Sequence, residues 1–153
     1  MTSVLLLHGP NLNLLGQREP EIYGSDTLDD YVDYTTRAAA EHGLSVTAVQ
    51  SNSEGTLIDA IHAARADGTA AIIINPGAFT HYAWGIHDAL KAFSGPVVEV
   101  HISNPNAREP WRHTSVVAPA ATGSIMGLGK HGYVLAVEAV SRLVPGTKRP
   151  GEA

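Results

Sequence analysis

The sequence predicts an α/β fold, a doubly wound parallel sheet of five strands with helices on both faces. Short apolar runs alternate along the chain with segments whose apolar residues recur at helical spacing. The apolar runs are continuous, which is typical of parallel strands buried on both faces. Enough chain separates successive strands for a helical crossover. Together these observations indicate a flavodoxin-like arrangement.

Each predicted element has a local reason. The predicted strands span residues 4–7, 46–49, 70–74, 97–101 and 115–118, and the predicted helices span about 26–42, 54–67, 81–93 and 132–144. Ser25 or Asp26 can cap the first helix, and Gly43 ends it. The third helix ends before Gly95-Pro96, because proline cannot continue a helix.

A long polar loop, 9–25, follows the first strand, and its residues disfavour regular structure. Connections longer than about 12 residues are usually functional or disordered. Arg18, Glu19 and Tyr23 lie between Gly16 and Gly24. We therefore expect a lid over residues 16–25.

Composition limits the class of protein. With 153 residues, the chain is expected to form one catalytic domain over 1–144, followed by a polar, frayed tail, 145–153. A net charge of −5, without a stripe of Lys and Arg, disfavours binding to nucleic acid. The absence of cysteine excludes disulfides, thiolate catalysis and Cys-based zinc sites. Residues 1–7 lack the pattern of a signal peptide or membrane span, so we expect a cytoplasmic protein without a membrane partner.

Three polar clusters each follow an apolar run. They are His8-Gly9-Pro10-Asn11, Asn75-Pro76-Gly77-Ala78-Phe79-Thr80-His81 and Glu99-Val100-His101-Ile102-Ser103-Asn104. In an open parallel sheet, ligands bind beyond the carboxyl ends of the strands. We therefore expect the three clusters to meet in one pocket.

Two of the clusters contain residues suited to acid and binding chemistry. Glu99 and His101 lie two residues apart on one strand, so their side chains share a face. A carboxylate beside an imidazole favours the protonated form of the imidazole, which suits a general acid. An ion pair that ties the end of this strand to its neighbour explains the two residues equally well. Asn75 and His81 flank the start of a helix, which favours an anionic or oxygen-rich ligand.

Three arginines lie in loops on the same side of the sheet: Arg18, Arg108 and Arg112. A single loop arginine is usually solvated, but together these three can bind a substrate carboxylate. A cation near Tyr23 would also lower the pKa of that phenol from its usual value of about 10. Tyr23 would then be a usable base.

Other motifs carry less weight. Residues 127–132 fit the G-x-G-x-x-G spacing but lack a following strand and a ribose-binding acid, so a turn into the last helix explains them. The eight histidines show no metal-ligand spacing, and neither Lys91 nor Lys130 has the apolar setting of a Schiff-base lysine. Two alternatives stay open: a flavin-binding module of the same fold, and a metal-dependent hydrolase that uses His81, His101 and Asp88.

Several motifs in family-like order connect this chain with a known enzyme family. They are residues 9–16, Arg18-Glu19-Pro20, Tyr23-Gly24, Gln50-Ser51-Asn52, Glu54-Gly55, residues 75–81, Asp88-Ala89, residues 99–104, Ala107-Arg108-Glu109, Arg112, Ala121-Thr122-Gly123 and Gly127-Leu128-Gly129. On these motifs the chain resembles the type II 3-dehydroquinate dehydratases over residues 4–143. The resemblance implies reversible dehydration of 3-dehydroquinate to 3-dehydroshikimate in the shikimate pathway, without a cofactor, metal or Schiff base.

The resemblance also implies a role for each site residue. Tyr23 would remove the C2 proton, with Arg18 and Arg108 keeping it basic, and His101, supported by Glu99, would protonate the departing C1 hydroxyl. Asn11 would help stabilise the enolate through a water, and Asn75 would hold the region of the departing C1 hydroxyl. The amides of Ile102 and Ser103 would bind the carboxylate. His81 and Arg112 would bind the ring hydroxyls.

The same resemblance implies an assembly. The residue matching Asp88 would enter the site of a neighbouring subunit in a dodecamer built from four trimers. Four positions depart from the family pattern: His87, Trp84, Pro110 and Trp111. These departures concern the subunit contact and the outer pocket rather than the chemistry.

Overall fold

The computed structural model describes residues 1–17 and 19–145, without the side chain of Tyr23. The strands are β1 (Thr2–His8), β2 (Leu44–Gln50), β3 (Ala71–Asn75), β4 (Val97–His101) and β5 (Gly123–Met126). The helices are α1 (Pro20–Tyr23), α2 (Leu28–Ala40), α3 (Glu54–Ala66), α4 (Trp84–Lys91) and α5 (His131–Leu143). All strand pairs are parallel, in the order β2-β1-β3-β4-β5. The predicted flavodoxin-like fold class is confirmed.

Two apolar cores cover the two faces of the sheet. Helices α2 and α5 pack against Val4 and Leu6 of β1, whereas α3 and α4 pack against the intervening Leu5 and Leu7. All five residues of β3 are buried, as its continuous apolar run predicts. Full burial of one such side chain contributes about 1.5–3 kcal/mol. The central strands are therefore held firmly, and their carboxyl ends carry two of the polar clusters.

The first long helix begins later than predicted. Its N-cap is Thr27, rather than Ser25 or Asp26. The Thr27 hydroxyl accepts a hydrogen bond from the Asp30 amide (3.2 Å), and the Asp30 carboxylate accepts one from the Thr27 amide (2.9 Å). This reciprocal pair satisfies two amides that the helix leaves without partners. The buried side chains of α2 are Tyr31, Thr35 and Ala39, which follow one another at a helical spacing of four.

The predicted strand over 115–118 is wrong. Val116 and Val117 are buried, but they lie in a loop that leads into a 3-10 turn, Ala118–Ala120. Pro119 in that turn has no amide hydrogen for a strand ladder. The fifth strand is instead Gly123–Met126, which pairs with β4.

The predicted helix over 81–93 is also wrong in its extent. A 3-10 turn, Gly77–His81, comes first, and α4 starts only at Trp84. The turn seats Phe79 and Thr80 in the core. His81 therefore ends a turn beside the sheet rather than starting a helix.

The segment predicted as an irregular loop, 9–25, contains two short helical pieces. Leu12–Leu14 forms a 3-10 turn, and α1 forms a single helical turn. Leu12 and Leu15 are buried in the core on the α2 face of the sheet. These two leucines fix the first half of the loop, before the predicted lid at 16–25.

Some predictions fall outside the described residues. Arg18 lies outside them, and of the predicted frayed tail, 145–153, only Pro145 lies within them. Across the part that the structure describes, no helix combines the length and apolar character needed to cross a bilayer.

Candidate active site

The three polar clusters line one cavity at the carboxyl ends of β1, β3 and β4, as predicted. Its volume is about 220 Å³. The predicted site residues on its wall are Asn11, Asn75, His81, His101, Ile102, Ser103, Arg108 and Arg112. Glu99 lies buried next to His101, and Asp88 is exposed on α4. Arg18 and the side chain of Tyr23 are outside the described part of the chain.

Glu99 is fully buried at the end of β4 and accepts several hydrogen bonds. Nε2 of His101 lies 2.5 Å from its Oε2, and the Thr80 hydroxyl donates to the same oxygen at 2.7 Å. The Ser115 hydroxyl lies 3.1 and 3.2 Å from the two carboxylate oxygens, and that of Ser124 lies 3.5 Å from Oε1. One imidazole and three hydroxyl groups therefore surround the carboxylate.

These contacts decide the charge of Glu99. Burial by itself would raise the pKa of the Glu99 carboxyl. The hydrogen bond and charge of His101, with the hydrogen bonds of Thr80 and Ser115, outweigh burial and hold the pKa below its usual value. Glu99 is therefore ionised at neutral pH and fixes the ring of His101 at the cavity wall.

The loop after β1 presents Asn11 in a left-handed backbone conformation. Its φ is 67°, in the left-handed region that few residues other than glycine and asparagine tolerate. The Asn11 amide donates to Oδ1 of Asn52 (2.9 Å), which also accepts from Nε2 of Gln50 (3.2 Å). Gln50, at the end of β2, and Asn52, just after it, thus hold the backbone of Asn11 in place.

The first two clusters touch directly. The Gly9 amide donates to the carbonyl oxygen of Asn75 (2.8 Å). A methyl group on Gly9 would collide with the carbonyl of Pro76. Only glycine therefore permits this approach, which brings Asn11 and Asn75 to the same cavity.

Two arginines on the cavity wall share an acidic partner. Arg112 Nε lies 3.0 Å and Arg108 Nε 3.9 Å from the carboxylate of Glu109. Arg108 also donates to the Ser103 hydroxyl (3.2 Å), and the Arg112 guanidinium lies 4.0 Å from the centre of the Trp111 ring. The hydrogen bond from Arg112 holds the pKa of Glu109 below its usual value. Glu109 and Trp111 thus orient two cations at the site.

His81 is oriented by its surroundings. Its Nδ1 lies 2.7 Å from the Thr114 carbonyl oxygen, which can only accept, so Nδ1 carries the proton. The ring meets Trp111 edge-on, with 5.2 Å between centroids. Nε2 is consequently the nitrogen of His81 available to a ligand.

Several residues that shape the site were not identified from the sequence. Thr80 is one of them, and its hydroxyl donates a hydrogen bond to Glu99. The other missed residues are Ser115, Ser124, Glu109 and Tyr133, the last of which contacts Asn75. Only Glu109 carried a signal, since it stands between two singled-out arginines. The described residues also hold no group of three or more His, Asp or Glu side chains placed to bind a metal ion.

Comparison with known proteins identifies one enzyme family to which this chain is similar. A family model described as "Dehydroquinase class II" matches residues 2–141. A 3-dehydroquinate dehydratase of Caldicellulosiruptor bescii is 52% identical over 144 residues, covering 94% of this chain and 99% of that protein. One from Corynebacterium glutamicum (strain R) is 55% identical over 141 residues, covering 92% and 96%.

A solved structure agrees with these matches. The crystal structure of type II dehydroquinase from Propionibacterium acnes superposes with a TM-score of 0.89 at 45% identity, covering 93% of this chain and 97% of that chain. The resemblance seen in the motifs is therefore confirmed over nearly the whole chain. By sequence and by fold, this chain belongs to the type II dehydroquinase family.

Proposed function

We propose that this chain dehydrates 3-dehydroquinate reversibly to 3-dehydroshikimate through an enolate, using the cavity described above. Dehydratase activity in the shikimate pathway is the activity of the family to which the chain belongs. The observation that carries the mechanism is the Glu99–His101 pair at the wall of a cavity that also holds two arginines and two asparagines. Such a pair can supply the acid that the departure of a hydroxyl group requires.

The first step would take a proton from C2 of the substrate, beside the ketone. Tyr23 is the proposed base, and Arg18 and Arg108 would keep its phenol ionised. The electron pair left on C2 delocalises onto the ketone oxygen, and Asn11 would stabilise that enolate through a water. The position of Asn11 on the cavity wall supports this role, and the family motif supports the roles of Tyr23 and Arg18.

The second step would break the bond between C1 and its hydroxyl group. With Nε2 of His101 bound to Glu99, Nδ1 is the nitrogen left to give a proton to the leaving hydroxyl. The hydroxyl departs as water while the double bond between C1 and C2 forms. Glu99 would stabilise the imidazolium before the transfer and hold the ring throughout.

The remaining wall residues would bind the substrate. We assign its carboxylate to the amides of Ile102 and Ser103, and its ring hydroxyls to His81 and Arg112. Asn75 would hold the region of the departing hydroxyl. All five line the cavity, which supports the assignment.

We further propose that residues 1–144 form one catalytic domain that works in the cytoplasm as a dodecamer of four trimers, with Asp88 completing a neighbour's site. Asp88 is exposed, and the nearby Tyr82 and Trp84 expose 59% and 61% of their surface. Exposed aromatic groups around an exposed carboxylate suit a subunit contact. The reaction is expected to need no cofactor, metal, Schiff base or nucleic acid. The family match gives no support to the flavin-binding alternative.

An absorbance assay for the conjugated enone product tests the proposal. Wild-type protein should form the product from 3-dehydroquinate, and neither chelation nor borohydride should slow it. His101→Ala should lower kcat by about 10²–10⁴, as expected for a lost general acid, and Tyr23→Phe by at least as much. His62→Ala, at an exposed histidine of α3, is the matched control. Product formation at a near wild-type rate by His101→Ala or Tyr23→Phe would refute the assignment, and loss of activity on chelation would favour the metal-dependent alternative.

A further inference from the structure

Beneath the cavity, a chain of three buried polar side chains runs away from Asn75. Nδ2 of Asn75 lies 3.0 Å from the Tyr133 hydroxyl, and the same hydroxyl lies 3.0 Å from Nε2 of His8. The three residues are exposed by 3%, 0% and 0% respectively. None of the proposed catalytic steps uses Tyr133 or His8.

The Gly77 amide sets the direction of the hydrogen bonds at Asn75, and the hydrogen bond between Tyr133 and His8 is assigned to match them. The Gly77 amide lies 3.1 Å from the Asn75 side chain and can only donate, so the atom facing it is Oδ1. The other end of the amide is therefore Nδ2, which donates to the Tyr133 oxygen. Tyr133 then gives its own hydrogen to Nε2 of His8, and burial, which lowers the pKa of His8 to about 4, keeps that imidazole neutral and able to accept.

The fold explains why these groups meet. His8 and Asn75 are partners in register on the adjacent strands β1 and β3, so their side chains lie side by side on one face of the sheet. Helix α5 covers that face and brings Tyr133 over both. The Tyr133 ring stacks on His8, with 5.6 Å between centroids and 18° between planes, which holds its hydroxyl in place.

We propose that Tyr133 is a positioning residue for the dehydration: its hydroxyl, anchored on His8, fixes the Asn75 amide so that the remaining Nδ2–H serves the substrate. The inference rests on the proposed function. With Oδ1 bound to Gly77 and one Nδ2–H bound to Tyr133, one donor of Asn75 is left for the cavity that it lines. Without the Tyr133 hydroxyl, the side-chain amide of Asn75 would keep its hydrogen bond to Gly77 but have a buried N–H without a partner. The amide would then rotate to satisfy that N–H.

The test is a double-mutant cycle of Tyr133→Phe and Asn75→Ala in the enone assay. Tyr133→Phe keeps the ring and removes only the hydroxyl. It should lower kcat/KM by about tenfold, which is the effect of one misdirected hydrogen bond. In the Asn75→Ala background, the same change should alter kcat/KM by less than about twofold, because the group through which Tyr133 acts is gone.

Ser141→Ala is the matched control. It removes a buried hydroxyl from the same helix, whose hydrogen bond goes to the Glu138 carbonyl and not to the site. Its kcat/KM should equal that of the wild-type enzyme even where its thermal midpoint falls as much as that of Tyr133→Phe. A loss of activity that merely followed stability would appear in both variants.

Each outcome is decisive. Wild-type kcat/KM in Tyr133→Phe, or an equal loss in both backgrounds, overturns the positioning role while leaving the proposed function intact. An inactive wild-type enzyme overturns the proposed function and this inference with it. Should Tyr133→Phe not fold, His8→Phe replaces it in the cycle: it keeps a stacked ring and removes the acceptor of the hydroxyl, and unchanged kcat/KM there overturns the inference.

Discussion

A carboxylate as deeply buried as that of Glu99 is costly unless donors surround it. Glu99 has four such partners, and two of them, Thr80 and Ser115, also contact each other at 2.7 Å. Neither hydroxyl faces a substrate in the proposed mechanism. They keep a charge stable beside His101, so that the proposed acid is oriented before any ligand arrives.

The buried His8 makes stability depend on pH. Its folded pKa is about 4 against an ordinary 6.5, so between these values the unfolded chain binds a proton that the folded chain does not. Stability from this residue is therefore complete above pH 6.5 and is lost as the pH falls towards 4. Between pH 7.5 and 5, we expect His8 to remove about 2 kcal/mol of the free energy of unfolding. Urea unfolding at fixed protein concentration across this range measures the loss.

His8→Gln should flatten this part of the pH profile, because glutamine does not titrate. His62→Gln, the same change at an exposed histidine, controls for the loss of an imidazole as such. A slope that is equal in the wild type and in His8→Gln would show that another group causes the loss. Glu99, whose folded pKa is also lowered, destabilises the fold in the same direction but only in more acidic solution.

The sequence predicted site residues that share a strand or a loop. It missed those that are distant along the chain from the residues they contact. Glu99 and His101 were found because a spacing of two places both on one face of β4. Thr80 and Ser115 lie 19 and 16 residues from Glu99, and their contacts depend on how two loops pack. Tyr133 was missed for the same reason, since it is 58 residues from Asn75.

The junction between the first and second clusters is where an element-level change should do most harm. Gly9→Ala would force its methyl group into the carbonyl of Pro76 and stretch the hydrogen bond to Asn75. We expect a loss of about 1–3 kcal/mol in stability, together with a fall in kcat, because Asn11 and Asn75 would separate. The urea midpoint and the enone assay measure the two effects.

Gly123→Ala is the control for this prediction. Gly123 lies on β5, where an added methyl group meets nothing within 4 Å. Its substitution should leave both stability and kcat close to wild type. Equal effects of the two substitutions would mean that the contact between Gly9 and Pro76 does not constrain the site.

The elements that the sequence misplaced are those whose apolar residues are buried by a loop. Val116 and Val117 have the composition of a strand, yet they fill the core from an irregular segment. The actual fifth strand is exposed at Gly123 and Ser124 and only half-buried beyond, so it lacks a continuous apolar run. An edge strand with one covered face gives a weak signal.

For the whole molecule, the fold class was predictable because apolar runs and crossovers alternate so regularly. The assembly could not be predicted in this way, because the pattern of strands and helices in one subunit does not require it.

If Asp88 completes a neighbour's site, Asp88→Asn should lower kcat/KM by about tenfold while the sedimentation coefficient stays that of the oligomer. Asp59→Asn, at an exposed aspartate of α3, is the control. Full specific activity in a diluted sample that sediments as monomers would contradict the assembly proposal.

The two faces of the sheet support different residues of the cavity. Asn75 leans on the layer formed by α2 and α5, whereas Glu99 and its hydroxyl partners lie on the side of α3 and α4. A destabilising substitution in the layer of α2 and α5 should therefore weaken substrate binding by Asn75. One in the layer of α3 and α4 should instead weaken proton transfer by His101. Core substitutions under α5 and under α4 would thus allow substrate binding and proton transfer to be changed separately.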